Sequence, residues 1–391
     1  MADRPLDVVL FGATGYTGGL TAEYLARHAP EGLRWALAGR SAEKLAAVRE
    51  RLEAIDPACG ELELLEADAA DAEALRGVAE RTQVVASAVG PYLELGEPLV
   101  AACAEAGTDY ADITGEPEFV DRMYVLHHAT AVATGARLVH ACGFDSIPYD
   151  LGVLFCVQQL PEDVPLKVRG FVNAGGRPSA GTLHTAVNAM SRVRQASSAY
   201  LERRRIEPRP EGRRVSSVKE PLIYERSLGA WVLPLPTIDP QVVKRSAAAL
   251  ERYGPDFSYG HYAAIEQLPV ALATLGGVGA MFALAQLPPT RSWLMGRMQS
   301  GEGPSPGRRE RGWFRVRLIG EGGGERVVCQ ISGGDPGYGE SAKMLAESAL
   351  CLARDDLPPA SGQLTPAVAM GEALTERLRG RGIKFELLES R

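Results

Sequence analysis

The chain has 391 residues, longer than one ordinary hydrophobic core organises, so two domains are expected. Hydrophobic residues make up 46% and charged residues 23%, the balance of a globular protein, and the formal net charge of −7 argues against a general nucleic-acid binder. The first 144 residues alternate strand and helix patterns with little slack. Strands are predicted over residues 7–11, 34–39, 61–68, 83–89, 108–113 and 137–142, with helices between them, among them 41–55 and 116–133. The strands are near-continuous apolar runs, which a sheet covered on both faces requires. Strict β/α alternation implies a parallel sheet with right-handed crossovers.

The first strand runs into "GATGYTG", with Gly12, Gly15 and Gly18 at spacing three, and a helix follows. In that context the glycines have physical roles. Gly12 permits the sharp turn, Gly15 lets backbone amides approach a pyrophosphate, and Gly18 lets the helix pack close to the sheet. Ala13, Thr14, Tyr16 and Thr17 complete the turn, whose helix N-terminus offers unpaired N–H groups to phosphate. An NAD site places a carboxylate at the end of the second strand. Here Gly39, Arg40 and Ser41 stand there, with Lys44 one turn later, and Arg40 suits the 2′-phosphate of NADP(H). Asp68, at the end of the third strand, is placed either near the adenine or at a helix N-cap. The fourth strand ends in "SAVGPY", which puts Val89, Gly90 and Pro91 at the switch-point crevice beside the nicotinamide ribose.

Beyond residue 150 the pattern changes to strands at 167–175, 313–320 and 326–332, the last two a hairpin, and a helix at 181–202. Residues 203–214 read as an exposed basic loop. The tail, 365–389, reads as a helix and a short strand. Domains are expected at 1–145, 146–345 and 346–391, the second α+β with an antiparallel sheet. Residues 268–288 carry no charge over about the length a bilayer span needs. Three readings of them stay open: a buried or oligomer-facing helix pair, a membrane-surface or acyl-chain surface, and a span. The second glycine-rich stretch, 332–341, is either an anion-binding loop or a plain strand-to-helix connection. None of the six cysteines forms a CxxC pair and no Cys/His cluster has zinc spacing, so no metal is expected. A reduced, cytoplasmic protein is the simplest reading, with the apolar segment allowing peripheral membrane contact.

Together, "GATGYTG", "AGRSAEKL", "VGPY", "ACAEAGTDYADITGE", "GFDSIPYDLG", "GGRPSAGTL" and "LTPAVAMGEAL" resemble the saccharopine dehydrogenase-like oxidoreductases, and within them the bacterial trans-acting enoyl reductases. The resemblance implies a Rossmann domain plus an α+β domain, with the C-terminal residues 346–391 returning to the first, NADPH, and an acyl thioester substrate on a carrier protein or polyketide synthase. It carries over Gly12, Gly15, Gly18 and Arg40 for the cofactor, and no catalytic signature. Reduction of an enoyl thioester needs a proton donor and a hydrogen bond to the enolate oxygen. Tyr92 is the candidate for the enolate hydrogen bond, and Asp145 and Ser146 are candidate catalytic residues through contacts with substrate or nicotinamide. Tyr92 has packing, and the other two turn-making and helix capping, as their alternative readings. His184 is a weaker candidate. Reduction of a small imine or carbonyl, with Arg177 and Arg192 on substrate carboxylates, and a non-catalytic NADPH-binding membrane protein remain the competing functions. A homo-oligomer is expected.

Overall fold

The computed structural model describes residues 4–175, 180–218, 220–296 and 306–391. The strands are β1 (Leu6–Phe11), β2 (Trp35–Gly39), β3 (Glu63–Glu66), β4 (Thr82–Ser87), β5 (Asp109–Asp112), β6 (Arg137–Val139), β7 (Leu166–Gly175), β8 (Arg214–Ser217), β9 (Ile223–Glu225), β10 (Ala230–Pro234), β11 (Asp256–Ile265), β12 (Trp313–Gly322), β13 (Glu325–Gly333), β14 (Gly362–Leu364) and β15 (Lys384–Ser390). The helices are α1 (Tyr16–His28), α2 (Ala42–Glu53), α3 (Ala72–Glu80), α4 (Tyr92–Leu95), α5 (Glu97–Ala106), α6 (Pro117–Thr134), α7 (Ile147–Val157), α8 (Ala180–Ser191), α9 (Val193–Ile206), α10 (Asp239–Ala249), α11 (Leu268–Gln286), α12 (Pro288–Gly296), α13 (Pro306–Arg309), α14 (Gly339–Arg354), α15 (Pro366–Ala369) and α16 (Gly371–Gly380).

The first sheet has seven parallel strands in the order β14-β6-β5-β4-β1-β2-β3. Apart from β14 this is the dinucleotide-binding order, whose reversal lies between β1 and β4. Successive residues of β1 point to opposite faces, as the strand period demands. Val8 and Leu10 pack with Leu25 of α1, Leu45 of α2 and Leu345 of α14. Val9 and Phe11 pack with Val78 of α3, Leu99 of α5 and Phe119 of α6. Both faces are therefore covered, and every residue of β1 is buried.

The second sheet has eight strands, in the order β15-β13-β12-β7-β11-β10-β9, with β8 on β11. It is mixed rather than antiparallel throughout, because β11 runs parallel to both β7 and β8. The chain passes through α8, α9 and α10 between β7 and β11, the kind of crossover that parallel pairing needs. The hairpin is β12 and β13, in register from Phe314 opposite Gly333 to Gly322 opposite Glu325. The tail divides. β14 pairs with β6 in the first sheet, while β15 pairs with β13 in the second. Helix α7 joins the two halves: Leu151, Val153 and Leu154 belong to one core that reaches both Leu345 and Leu318.

Two expectations are corrected. The basic stretch does not begin as a loop, because α9 runs on to Ile206 and buries Arg203. The uncharged segment is one helix, α11, and not a buried pair. Leu272, Leu275, Phe282 and Leu287 stand about half exposed.

Candidate active site

The loops at the C-terminal ends of β1, β2, β4, β5 and β6 meet at one edge of the parallel sheet. Gly12 takes φ +89, and a Cβ there would stand 2.5 Å from Cγ2 of Val89. At Gly18 a Cβ would come within 2.1 Å of the Gly12 carbonyl oxygen, so the helix can lie this close only without one. Gly15 differs: it is exposed, and its missing Cβ meets nothing nearer than Gly12 O at 3.4 Å. The backbone at Gly15 is thus bare where a ligand phosphate approaches, and it is the N-cap of α1. Ala13 is fully buried beneath the turn, Thr14 is exposed, and Tyr16 and Thr17 are half-buried.

Arg40 follows β2 and is exposed, and among the described residues no carboxylate pairs with it. Thr14 reaches towards Gly39, so the turn and Arg40 lie side by side. Ser41 caps α2 by accepting from the Lys44 N–H at 3.3 Å, and Lys44 itself is exposed. The bare glycine turn, the helix N-terminus and an uncommitted guanidinium at the second strand end fit an NADP(H) pyrophosphate and 2′-phosphate. Asp68 is exposed and folds back on its own loop, accepting from Ala70 N–H at 2.9 Å.

Across from the turn, Val89, Gly90 and Pro91 lead into α4, and the Gly90–Pro91 peptide is cis. The next loop supplies Glu116, whose two oxygens accept from the N–H groups of Tyr92 and Leu93 at 3.0 and 2.9 Å. These bonds draw on the carboxylate, yet burial dominates and pushes its pKa up. The loop after β6 carries Asp145, which faces Gly115: a Cβ on that glycine would be 3.0 Å from Oδ2 of Asp145 and 3.6 Å from Thr185 of α8. Asp145 is partly open, and removal of its carboxyl from water pushes it up to about 6.

The second half closes over this edge. Ser341, at the start of α14, accepts from Phe144 N–H at 3.2 Å. Tyr338 packs edge-on against Tyr16 at 4.8 Å, and Arg309 donates to the Tyr16 hydroxyl at 2.6 Å. The glycine-rich stretch 332–341 is therefore a strap over the nucleotide turn. Asp335 accepts from Tyr338 and Gly339 N–H, and Glu340 accepts from Gly334 N–H. Those three amides are thus engaged by the stretch's own carboxylates, as in a strand-to-helix connection.

Residues 8–137 match the family model of the saccharopine dehydrogenase NADP binding domain. The chain is 40% identical to a protein of Mycobacterium tuberculosis provisionally named a trans-acting enoyl reductase, over 98% of this chain and 97% of that one. It is 36% identical to the trans-acting enoyl reductase of Mycobacterium ulcerans, with the same coverage. The chain belongs to the trans-acting enoyl reductase family. Its fold is also that of the L-glutamate-forming saccharopine dehydrogenase of Saccharomyces cerevisiae, with TM-score 0.55 over 98% of this chain and all of that one, at 13% identity.

In this enoyl reductase family member the expected catalytic residues separate. Tyr92 is 6% exposed and donates its hydroxyl to the Ser87 carbonyl at 3.0 Å, so it packs under the crevice and is withdrawn as an enolate partner. Ser146 occupies the N-cap position of α7 without making a capping bond, and its buried Oγ has no partner. Asp145 alone of the three keeps an opening. Arg192 does not serve a substrate carboxylate, because Glu118 holds it with two bonds of 2.8 and 2.6 Å. Arg177 and the His184 side chain lie outside the described residues. Glu116, Tyr338 and the buried Asp239 and His261 escaped notice. Glu116 lies in the "DITGE" stretch that carried the resemblance and Tyr338 in the second glycine-rich stretch, whereas Asp239 and His261 come from segments with no motif around them.

Proposed function

We propose that the protein is an NADPH-dependent enoyl reductase acting in trans, on an acyl thioester presented by a carrier protein or polyketide synthase. The observation that supports this most is full-length similarity to trans-acting enoyl reductases, joined to a bare glycine turn at the same sheet edge where the loop carrying Asp145 leaves β6. Gly12, Ala13, Gly15 and the N-terminus of α1 would hold the pyrophosphate, and Arg40, Ser41 and Lys44 the 2′-phosphate. Val89, Gly90 and Pro91 would border the nicotinamide ribose. Bound there, NADPH supplies hydride. The chain's own part is to orient the thioester, exclude water under the strap 332–341, and deliver a proton from Asp145 to the α-carbon.

The six cysteines are free and buried, as a reducing compartment favours. We assign the exposed helix α11 to contact between copies of the chain. The function is tested by following NADPH oxidation with a crotonyl thioester, free and on a carrier protein. Turnover is expected on both, faster on the carrier. NADPH binding with no oxidation by any enoyl thioester rejects the reading.

A further inference from the structure

Between the loops at this sheet edge lies a buried carboxylate that the reduction described above does not use. Asp112, the last residue of β5, has no exposed surface. Its Oδ1 accepts from the Thr114 N–H at 3.0 Å and from the Ala141 N–H at 2.9 Å. Its Oδ2 stands 2.7 Å from Nδ1 of His140, which is also buried. Its main-chain carbonyl accepts from the Cys142 N–H. One residue thus grips the loop that leaves β5 at Thr114 and the loop that leaves β6 at three consecutive positions. Phe119 and Tyr110 hold the His140 ring between them, both edge-on, at 5.3 and 5.6 Å. Among the described residues no arginine or lysine pairs with Asp112.

The backbone it grips is strained. Ala141 takes φ +61, in the left-handed region that a residue with a Cβ rarely enters. The hydrogen bond from its N–H to Asp112 holds it there. Beyond that bend the two loops stay in contact. A Cβ on Gly143 would stand 3.2 Å from Cγ2 of Ile113, and one on Gly115 would stand 3.0 Å from Oδ2 of Asp145. In the other direction the grip extends towards the cofactor residues. Thr114 Oγ1 accepts from the Glu116 N–H at 3.2 Å, and Glu116 accepts from Tyr92 and Leu93, which directly follow Pro91.

We propose that Asp112 is the positioning residue of the reaction. Its carboxylate clamps the loops after β5 and β6 together, keeps Ala141 in its left-handed bend, and so sets the loop that carries Asp145 relative to the turn at Val89, Gly90 and Pro91. Buried as it is, Asp112 acts through geometry and not by contact with substrate or cofactor. The inference rests on the reading of Asp145 as the proton donor of an enoyl reductase. Misplacing a reacting group by about 1 Å can cost about a hundredfold in rate, so a clamp of this kind shows itself in kcat.

The test compares the NADPH-loaded protein with its Asp112→Ala and Asp112→Asn variants and with the double variant Asp112→Ala, Ala141→Gly, using a crotonyl thioester. Asp112→Ala should lower kcat by about a hundredfold, with NADPH affinity unchanged, because the glycine turn and Arg40 lie on other loops. Asp112→Asn should keep most of the activity. Its amide oxygen still accepts from Thr114 and Ala141, and His140 can accept from the amide nitrogen as its other tautomer. Adding Ala141→Gly to Asp112→Ala should restore part of kcat, since glycine holds a positive φ without help. A folded Asp112→Ala with unchanged kcat overturns the proposal. So does an Asp112→Asn as slow as Asp112→Ala, which would put the weight on charge or a proton and not on geometry. Absence of the glycine rescue rejects the bend at Ala141 as the link.

A readout without turnover keeps the clamp and the reaction apart. Amide hydrogen exchange over residues 113–116 and 140–146 should be slow in the unmodified protein and in Asp112→Asn, and faster in Asp112→Ala, while β1 and α1 stay as they were. Equal exchange in all three rejects the clamp. If Asp112→Ala does not fold, Ala141→Val serves instead, because a branched side chain is excluded from this φ. It should speed exchange over the same residues and lower kcat, and no change in either overturns the proposal. Loops that loosen as expected in a protein that reduces no enoyl thioester leave the clamp standing and remove the enoyl reductase reading.

Discussion

Arg40 is the single side chain on which the choice of cofactor turns. It is exposed beside the glycine turn with no carboxylate on it, so its charge is available to a ligand. A hydrogen bond to a charged group is worth about 1.5–3 kcal/mol. Arg40→Asp should therefore weaken NADPH binding by about ten- to a hundredfold, and further through repulsion, while NADH binding changes little. Fluorescence titration with both nucleotides measures this, and equal losses for the two would reject the assignment. The cofactor wall was legible in the sequence because its requirements are local. Gly12, Gly15, Gly18 and Arg40 lie within 29 positions, just past the ends of two adjoining strands, and each answers to backbone sterics or charge at its own position. Tyr92 was not legible in the same way. Whether its hydroxyl faces the crevice or the Ser87 carbonyl depends on how Phe119 and Glu116 seat α4, and no spacing rule encodes that.

At the scale of elements, alternation of strand and helix located all six early strands, because a doubly covered sheet imposes one pattern on every strand. The second half was harder. The parallel pairing of β7 with β11 joins segments separated by about 90 residues, and residues of α7 and α10 share one core with both strands. The end of α9 shows why charge alone misleads. Arg203 donates to Asp121 at 2.5 Å and also bonds Glu207, and Gln241 of α10 donates to the same Asp121 oxygen at 2.8 Å. Arg245 joins from α10 by bonding Glu207 and Gln363 of β14, each at 2.8 Å. This network fastens α6, α9, α10 and β14 together. Removing one member leaves a buried charge uncompensated, at a cost of about 3–5 kcal/mol. Arg203→Met should accordingly lower thermal stability sharply. Arg204→Glu and Arg205→Glu, on the exposed side of the same turn, should stay within about 0.5 kcal/mol. Denaturant unfolding distinguishes them, and a mild Arg203→Met would show that the network is not holding these elements.

For the whole molecule, α11 is the feature that an isolated chain does not account for. Among the described residues it is the one helix long and apolar enough to cross a membrane by length, and only 11% of it is buried. Its inward contacts come from a narrow seam of Ala271, Val278, Met281 and Ala285. The remaining circumference presents Val270, Leu272, Leu275, Phe282 and Leu284 to the outside. A helix apolar on all sides is stable when something apolar covers it. Burial contributes about 25 cal/mol for each Å² removed from water, so a second α11 laid along this one would supply a large part of a dimer interface. Sedimentation of the unmodified protein should show a dimer or larger species. The double variant Leu275→Glu, Phe282→Glu should be monomeric while keeping NADPH affinity, because α11 packs chiefly on α8, α12, β10 and β11 and not on the strands that carry the glycine turn and Arg40. A monomeric unmodified protein that floats with liposomes would replace the second copy with lipid as the covering surface. A monomer that does neither would leave the helix to the acyl chain of the substrate, and the same double variant would then raise KM for long-chain thioesters while leaving that for crotonyl thioester unchanged.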